Sequence, residues 1–272
     1  MRIRIGFDLI FGITAPTPIV LMLYVHPSRE KDLEQPERLQ IEPDIAVRDF
    51  TDVFGNKAAR IIAPAGDLHI RHDAVIHDSG EPDASGDGAE PVPVEQLPPD
   101  VLQFLFASRY CEVDRMTDIA WGLFSATPPG WPRVMAVQSW VHNHIEFGYE
   151  HARRNKTAYD AYVERAGVCR DFMHLSITLL RALGIPARYV TGYLGDIGVP
   201  TNPAPMDFSA WFEVYLGGRW WSCDARHNEP RIGRILMATG RDATDVALTT
   251  SFGTTTLKQF VVVTDEIPAG SS

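Results

Sequence analysis

The chain has 272 residues, about 1.8 domains at roughly 150 residues each, so two modest domains are expected. Hydrophobic residues make up 45% and charged residues 22% of the sequence, and this composition excludes a wholly disordered, collagen-like or coiled-coil protein. The formal net charge is −10 and nothing suggests a basic surface. Nucleic acid is therefore not expected as a partner, because phosphate binding needs such a surface.

The longest apolar run, residues 19–25, is far shorter than the roughly 20 residues that cross a bilayer, so no membrane partner is expected. Asp8 interrupts the first apolar stretch and no small-residue cleavage site follows it, so we expect no signal peptide. Three cysteines without paired spacing argue against a disulfide framework and for a reducing compartment. The sequence predicts a cytoplasmic protein.

Residues 1–77 show the pattern of short β-strands. In the first strand, Ile3, Ile5 and Phe7 alternate with polar residues or glycine, which predicts one buried face. Five or six such strands with turn residues between them predict an N-terminal β domain resembling a sandwich of immunoglobulin-like size. The further strand candidates are residues 19–25, 38–41, 47–54, 57–62 and 68–76.

Residues 78–100 have a different composition, rich in glycine and proline and without lysine or arginine. They hold seven acidic residues, so most of the net negative charge is local. This composition is typical of a linker or a long surface loop. We therefore predict an acidic linker at 78–100 between a β domain at 1–77 and a core domain at 101–272.

After the linker, the apolar residues recur with the period of a helix, and segments with a strand pattern return later in the chain. Helices followed by strands that look antiparallel predict an α+β core domain, with helices packed on an antiparallel sheet. The helix candidates are residues 99–108, 113–124, 131–146, 157–165 and 169–183, and the strand candidates are residues 186–194, 208–216, 218–224 and 259–264.

Cys169 falls in the first turn of the most apolar predicted helix, which Gly184 and Pro186 end. Unpaired N–H groups and the helix dipole favour a thiolate at this position, so a lowered thiol pKa is expected. The alternative is a small buried hydrophobic residue, as most free cysteines are. Downstream, a hairpin around Gly217-Gly218 ends in Asp224 and would supply the carboxylate of a nucleophile–base–carboxylate set.

The segments GVCRDFMHLSITLLRALGIPAR at 167–188 and FSAWFEVYLGGRWWSCDARHN at 208–228 resemble the bacterial transglutaminase-like superfamily. This resemblance covers roughly residues 101–265, and the N-terminal β region resembles the small β domain that precedes the core in bacterial members. It implies a papain-like core with a Cys-His-Asp triad. By the same resemblance, Cys169 is the nucleophile and Asp224 is the aspartate.

The family histidine is absent from its usual position, because Ser209 begins the Ser-Ala-Trp sequence where the family usually has His-Ala-Trp. Serine cannot accept a proton near neutral pH as imidazole does. His227, three residues beyond Asp224, is the first substitute. His174 would lie around the helix, away from the sulfur of Cys169, and is expected to be a hydrogen-bonded core or interface residue. The pair at 142 and 144, two residues apart on a helix, would point to different faces.

The resemblance implies acyl transfer or hydrolysis on peptide or protein amide bonds through a thioester, as in a cysteine protease, an amidase or a transglutaminase-like acyltransferase. The alternative is a catalytically inactive binding module that lost its base with the histidine. A third hypothesis makes His227 the base, while Ser209 holds a water or a polar group of the substrate. Sequence motifs for nucleotide, zinc or calcium binding are absent, so we expect no cofactor and no metal. Cys111 and Cys223 are expected to be packed thiols, and the sequence indicates no oligomeric state.

Overall fold

The computed structural model describes residues 1–268 and 270. The N-terminal region forms most of two antiparallel sheets, which have four strands each. Two strands from the C-terminal end of the chain complete these sheets. The strands are β1 (Arg2–Ile13), β2 (Thr17–Leu21), β3 (Gln40–Glu42), β4 (Arg48–Thr51), β5 (Lys57–Ala63) and β6 (Gly66–His77).

Side chains from the two sheets share one apolar core. Ile3, Ile5 and Leu9, at alternate positions of β1, are almost completely buried, as the period of two predicts. They belong to the same cluster as Leu21 of β2 and Ile61 of β5. The predicted sandwich-like β region is confirmed.

The remaining elements form the α+β core and then return to the sandwich. Five short or medium helices precede a third sheet, and the last two strands follow it. They are α1 (Pro99–Leu102), α2 (Val113–Phe124), α3 (Trp131–His144), β7 (Glu146–Phe147), α4 (Ala158–Glu164), β8 (Ala166–Gly167), α5 (Cys169–Ala182), β9 (Ala187–Tyr193), β10 (Ser209–Leu216), β11 (Arg219–Cys223), β12 (Ile235–Gly240), β13 (Thr249–Ser251) and β14 (Thr255–Ile267).

The C-terminal strands differ from the predicted division of the chain. The strand order is β14-β1-β6-β3 in one sandwich sheet and β13-β2-β5-β4 in the other. β14 runs antiparallel to β1 along its length, from the pair Arg2 and Ile267 to the pair Ile13 and Thr255. The prediction placed all of 101–272 in the core domain, whereas these strands belong to the sandwich. Local patterning identifies a strand but not its partner at the other end of the chain.

Helix α5 is the centre of the core domain. Its residues from Asp171 to Arg181 are buried, and it packs against β9 and β10 and against α2, α3 and α4. The third sheet has the antiparallel order β11-β10-β9-β12. Helices α2 to α5 begin and end within two residues of their predicted bounds. The sequence prediction lacked β12.

The segment at 78–100, predicted as a linker, packs against the core domain. Pro82 forms an isolated antiparallel bridge with Ile232. The backbone at Gly86 lies so close to the Trp131 ring that an added Cβ would be 2.5 Å from Trp131 Cε3. The N–H of Trp131 also donates to the carbonyl of Ala89. We call residues 78–100 the acidic strap.

Within the described residues, no helix is both long and apolar enough to cross a membrane. All three cysteines are free, and Cys111 and Cys223 are buried, as expected for packed thiols.

Candidate active site

A carboxylate fixes the start of α5, where Cys169 lies. Asp171 accepts a hydrogen bond from the N–H of Val168, the residue before the helix, at 2.9 Å. Gly167 allows this approach, because a Cβ there would lie 2.7 Å from the side chain of Asp171. The parallel pair of β7 and β8 sets Phe147 beside Gly167. The local sequence thus puts Cys169 in the first turn of α5, as predicted.

Burial decides the charge of the Cys169 thiol. It raises the pKa of Cys169 to about 11, and the negative charge of Asp207 acts in the same direction. The guanidinium of Arg226 and the backbone N–H of Arg170 favour the thiolate but do not outweigh burial. The predicted lowering of the pKa by the helix start is therefore wrong. The resting side chain is a thiol that needs a base to become a nucleophile.

Asp224 follows β11 directly and is a buried, ionised carboxylate. Burial acts to raise its pKa, but hydrogen bonding from His227 and the charge of Arg234 outweigh burial and hold the pKa well below its usual value. The backbone N–H groups of Arg226 and His227 donate to Asp224 Oδ1 at 2.9 and 3.1 Å. From α3, Gln138 Oε1 accepts the N–H of Asp224 itself at 3.0 Å.

His227 is oriented by this carboxylate. Its Nδ1 lies 2.8 Å from Asp224 Oδ2. An ionised carboxylate can only accept, so Nδ1 carries the proton and neutral His227 has its free lone pair on Nε2. Among the described residues, no hydrogen bond joins this imidazole to the sulfur of Cys169. Both side chains, however, line the same cavity of about 210 Å³.

Ser209 also lines this cavity, at the start of β10, and its hydroxyl makes no hydrogen bond within the part of the chain that the structure describes. The wall carries charges of both signs. The guanidinium of Arg226 lies 4.3 Å from the centre of the Phe147 ring, and burial raises the pKa of Asp207. Other side chains on the wall are those of Tyr149, Leu194, Asp196, Phe208 and Arg231.

The other candidate histidines have different partners. His174 is completely buried, and its Nε2 accepts the N–H of Ala243 at 3.2 Å, as expected for a core histidine. His142 Nδ1 contacts the carbonyl of Ala225 at 3.0 Å and so supports the loop after Asp224. His144 Nε2 contacts the carbonyl of Tyr162 instead. Of the candidate histidines named from the sequence, only His227 both contacts Asp224 and lines the cavity.

Sequence reasoning missed three residues around Asp224: Arg234 binds its carboxylate, Gln138 accepts its backbone N–H, and Asp83 binds Arg234. Arg234 Nη2 donates to Asp224 Oδ2 at 3.0 Å, and its Nε donates to Asp83 of the acidic strap at 2.8 Å. A lone arginine among apolar residues at 232–237 is a signal for a buried ion pair, since arginine is seldom buried unpaired. Across residues 1–268 and 270, no group of three or more His, Cys, Asp or Glu side chains forms a metal site.

Comparisons with known proteins agree with this architecture. The family profile of the transglutaminase-like superfamily matches residues 121–225. The crystal structure of a candidate cysteine protease from Cytophaga hutchinsonii has 30% identity and a TM-score of 0.86, and the match covers 100% of this chain and 92% of that one.

Two uncharacterised mycobacterial proteins are also similar. One, from Mycobacterium leprae, is 34% identical over 117 residues, which is 42% of each chain. The other, from Mycobacterium tuberculosis, is 34% identical over 96 residues, 32% of this chain and 31% of the relative. The chain therefore spans less than half of the length of these curated relatives. Together with the full-length structural match, the family profile shows that the chain belongs to the transglutaminase-like superfamily.

Proposed function

We propose that the protein catalyses acyl transfer or hydrolysis at peptide or protein amide bonds, with Cys169 as nucleophile, His227 as general base and Asp224 as its orienting carboxylate. The observation that carries this proposal is the 2.8 Å contact of His227 Nδ1 with Asp224 Oδ2, at a cavity that Cys169 also lines. An imidazole held this way presents a basic nitrogen to the cavity without help from position 209. The proposal takes its base from the third hypothesis drawn from the sequence and gives Ser209 no part in the proton transfer.

The first half of the reaction forms an acyl-enzyme. Nε2 of His227 takes the proton of the Cys169 thiol as the sulfur attacks the amide carbonyl carbon. The N–H of Cys169, at the start of α5, has no carbonyl partner within the helix and would donate to the carbonyl oxygen as it becomes an oxyanion. The tetrahedral intermediate then breaks its C–N bond. The amine leaves with the proton from His227, and a thioester remains on Cys169.

The second half regenerates the thiol. Water loses a proton to His227 and attacks the thioester carbon, the C–S bond breaks, and the sulfur recovers the proton. Hydrolysis by water is the default, and a primary amine in place of water would give an amide by the same steps. The Cytophaga hutchinsonii protein is described only as a candidate cysteine protease, and this description favours a peptide substrate here. Three free cysteines support the cytoplasm as the expected location.

The inactive binding module is the second candidate function. It is favoured by the raised pKa of Cys169 and by the lack of a Cys169–His227 hydrogen bond among the described residues. In that case the thiol would behave as an isolated buried group. The two functions therefore differ in whether His227 changes the reactivity of Cys169.

The experiment measures alkylation of Cys169 by iodoacetamide between pH 5 and pH 10, read by mass spectrometry of its peptide. We expect His227→Gln to slow the reaction at pH 7 by about 10- to 100-fold, because base assistance is lost. Its profile should then rise only towards the thiol pKa of about 11. His77→Gln, at an exposed histidine of β6, is the matched control and should react like the unaltered protein.

Cleavage of fluorescein-labelled casein, with and without a primary amine, tests the reaction itself. Cys169→Ala should abolish cleavage, and His227→Gln should reduce it by about 10²- to 10⁴-fold, the usual contribution of a general base. Equal alkylation rates in His227→Gln and the unaltered protein, together with absent cleavage, would support the binding module instead.

A further inference from the structure

Arg234 joins the acidic strap to the candidate active site. Its side chain is only 6% exposed and bridges two carboxylates. Nε donates to Asp83 at 2.8 and 3.0 Å, and Nη2 donates to Asp224 Oδ2 at 3.0 Å. That oxygen is the one His227 Nδ1 contacts. A buried chain of contacts thus runs from Asp83 through Arg234 and Asp224 to His227.

The strap is held at this point by more than one bond. Asp83 Oδ2 also accepts the N–H of Arg231 at 2.9 Å, and the N–H of Asp83 donates to the carbonyl of Arg231. The bridge between Pro82 and Ile232 continues the same contact. The carboxylate of Asp83 is therefore fixed beside Arg234 and half-buried, rather than a solvated linker charge.

We propose that Asp83 and Arg234 are positioning residues, which set the charge and the orientation of the Asp224–His227 pair. This inference rests on the proposed function only for its catalytic consequence. The structural part of the inference is that the acidic strap and Arg234 control the charge and the orientation of His227. This part does not depend on catalysis and is tested separately.

The planar guanidinium lets the side chain of Arg234 bind two carboxylates at once. Nε binds Asp83 and Nη2 binds Asp224, and the single point charge of a lysine ammonium cannot reproduce this planar arrangement. Arg234 Nη2 and His227 Nδ1 contact the same oxygen at 3.0 and 2.8 Å. They are thus at most about 6 Å apart, a range in which one charge shifts the titration of another group by about one pH unit.

The signs of the two effects are opposite. Arg234 opposes protonation of His227, because it is a cation and because it draws on the carboxylate that would stabilise an imidazolium. Asp83 compensates part of that positive charge and so favours protonation. Removing Arg234 should raise the pH at which His227 titrates, and removing the charge of Asp83 should lower it.

Other titratable or charged groups line the same cavity as His227. The titratable ones are Tyr149, Cys169, Asp196 and Asp207, and the fixed cations are Arg226 and Arg231. None of them is changed in the variants below, so their contribution cancels in the comparison.

The test follows the imidazole of His227 by NMR in protein labelled at histidine, with the resonance assigned by its loss in His227→Gln. We expect Arg234→Gln to raise the titration midpoint by about one pH unit and Asp83→Asn to lower it by about 0.5 unit. Asp87→Asn removes the same charge from an exposed position of the strap and should leave the midpoint unchanged. Shifts in the same direction, or no shift, overturn the proposal.

Folding and function are kept apart in this design. If Arg234→Gln does not fold, as judged by circular dichroism, Asp83→Asn against Asp87→Asn decides the matter alone. The alkylation profile of Cys169 is measured on the same variants, and its acid limb should move with the NMR midpoint. NMR shifts without matching movement of that limb would contradict His227 as the base but support the strap inference. Unshifted NMR midpoints, with Cys169 reactivity still dependent on His227, would overturn the inference and leave the proposed function intact.

Discussion

Two pairs of a histidine and a carboxylate allow a comparison, His227 with Asp224 in the core domain and His72 with Glu37 in the sandwich. In the core, His227 Nδ1 is 2.8 Å from Asp224 Oδ2. In the sandwich, His72 Nε2 is 3.2 Å from Glu37 Oε1, and both side chains are only 1% exposed. Each pair places an imidazole beside a carboxyl group at a similar distance, yet the pKa of the carboxyl is lowered in the core pair and raised in the sandwich pair.

Burial dominates in the sandwich pair. It raises the pKa of Glu37 to about 7, although two bonds from the N–H of Val25 and the charge of Lys57 act against it. It also lowers the pKa of His72 to about 4. Between these values both groups are neutral, with the proton on the carboxyl. Such an imidazole has no anionic partner to stabilise its protonated form.

The two pairs differ in what surrounds the carboxylate. His227, two backbone N–H groups and the buried cation of Arg234 keep Asp224 ionised, whereas within the described residues no lysine or arginine forms an ion pair with Glu37. The difference teaches that proximity of imidazole and carboxylate does not make a general base. The carboxylate must be held ionised by a third group, so that the imidazole keeps Nε2 free for a proton.

The largest expected effect is on cleavage, when the carboxylate of the core pair is replaced by an amide. The same replacement in the sandwich pair is its control. Asp224→Asn should reduce casein cleavage by about 10³- to 10⁴-fold, because an amide can donate to Nδ1 and so favours the wrong tautomer. Glu37→Gln makes the same chemical change in the other pair and should leave cleavage unchanged. A comparable loss in Glu37→Gln would break the comparison, since it would make the sandwich pair part of the activity.

The stabilising contributions of the two carboxyl groups, Asp224 and Glu37, should change in opposite directions as the pH rises. Asp224 has a lowered folded pKa, so its stabilising contribution is present above its unfolded pKa of about 3.9 and is lost as the pH falls further. The deficit of Asp224→Asn in the free energy of unfolding should therefore be full at pH 6 and shrink below about pH 4. Urea unfolding from pH 3 to pH 8 measures it.

Glu37 should show the reverse trend. Its folded pKa of about 7 lies above its usual 4.5, so its contribution is present below pH 4.5 and is lost as the pH rises to about 7. Relative to the unaltered protein, Glu37→Gln should gain about 1 to 3 kcal/mol across that interval. His72 remains in both proteins, so the difference between them reports chiefly Glu37. A flat difference would contradict a protonated carboxyl.

The sequence could predict most elements of the fold, because their apolar periods are local, although not β12 or β13. It placed Cys169 at the start of α5 and Asp224 after β11, both of which follow from neighbouring residues. It could not predict that Asp83 binds Arg234, because this pair is 151 residues apart and the strap looks like a solvated linker. The same limit hid the pairing of β14 with β1.

Electrostatics was the second limit. The helix start predicts a lowered pKa for Cys169, but burial among residues far away in the sequence raises it instead. The two histidine pairs make the same point, since composition alone cannot distinguish Asp224 from Glu37. From the sequence, His227 is one of several candidates for the general base. In the structure, the contact of its Nδ1 with Asp224 distinguishes it from the others.

The smallest expected effect belongs to Ser209, where the family usually has its histidine. If His227 is the base, position 209 needs no titratable group, and the hydroxyl there has no hydrogen bond among the described residues to lose. Ser209→Ala should then change casein cleavage by no more than about twofold, well under the 1.4 kcal/mol that corresponds to a tenfold change. A loss approaching that of His227→Gln would instead make the hydroxyl, through a water or a polar group of the substrate, part of the proton transfer. The double variant Ser209→Ala with His227→Gln separates these cases, because additive losses indicate independent roles and a shared loss indicates one relay.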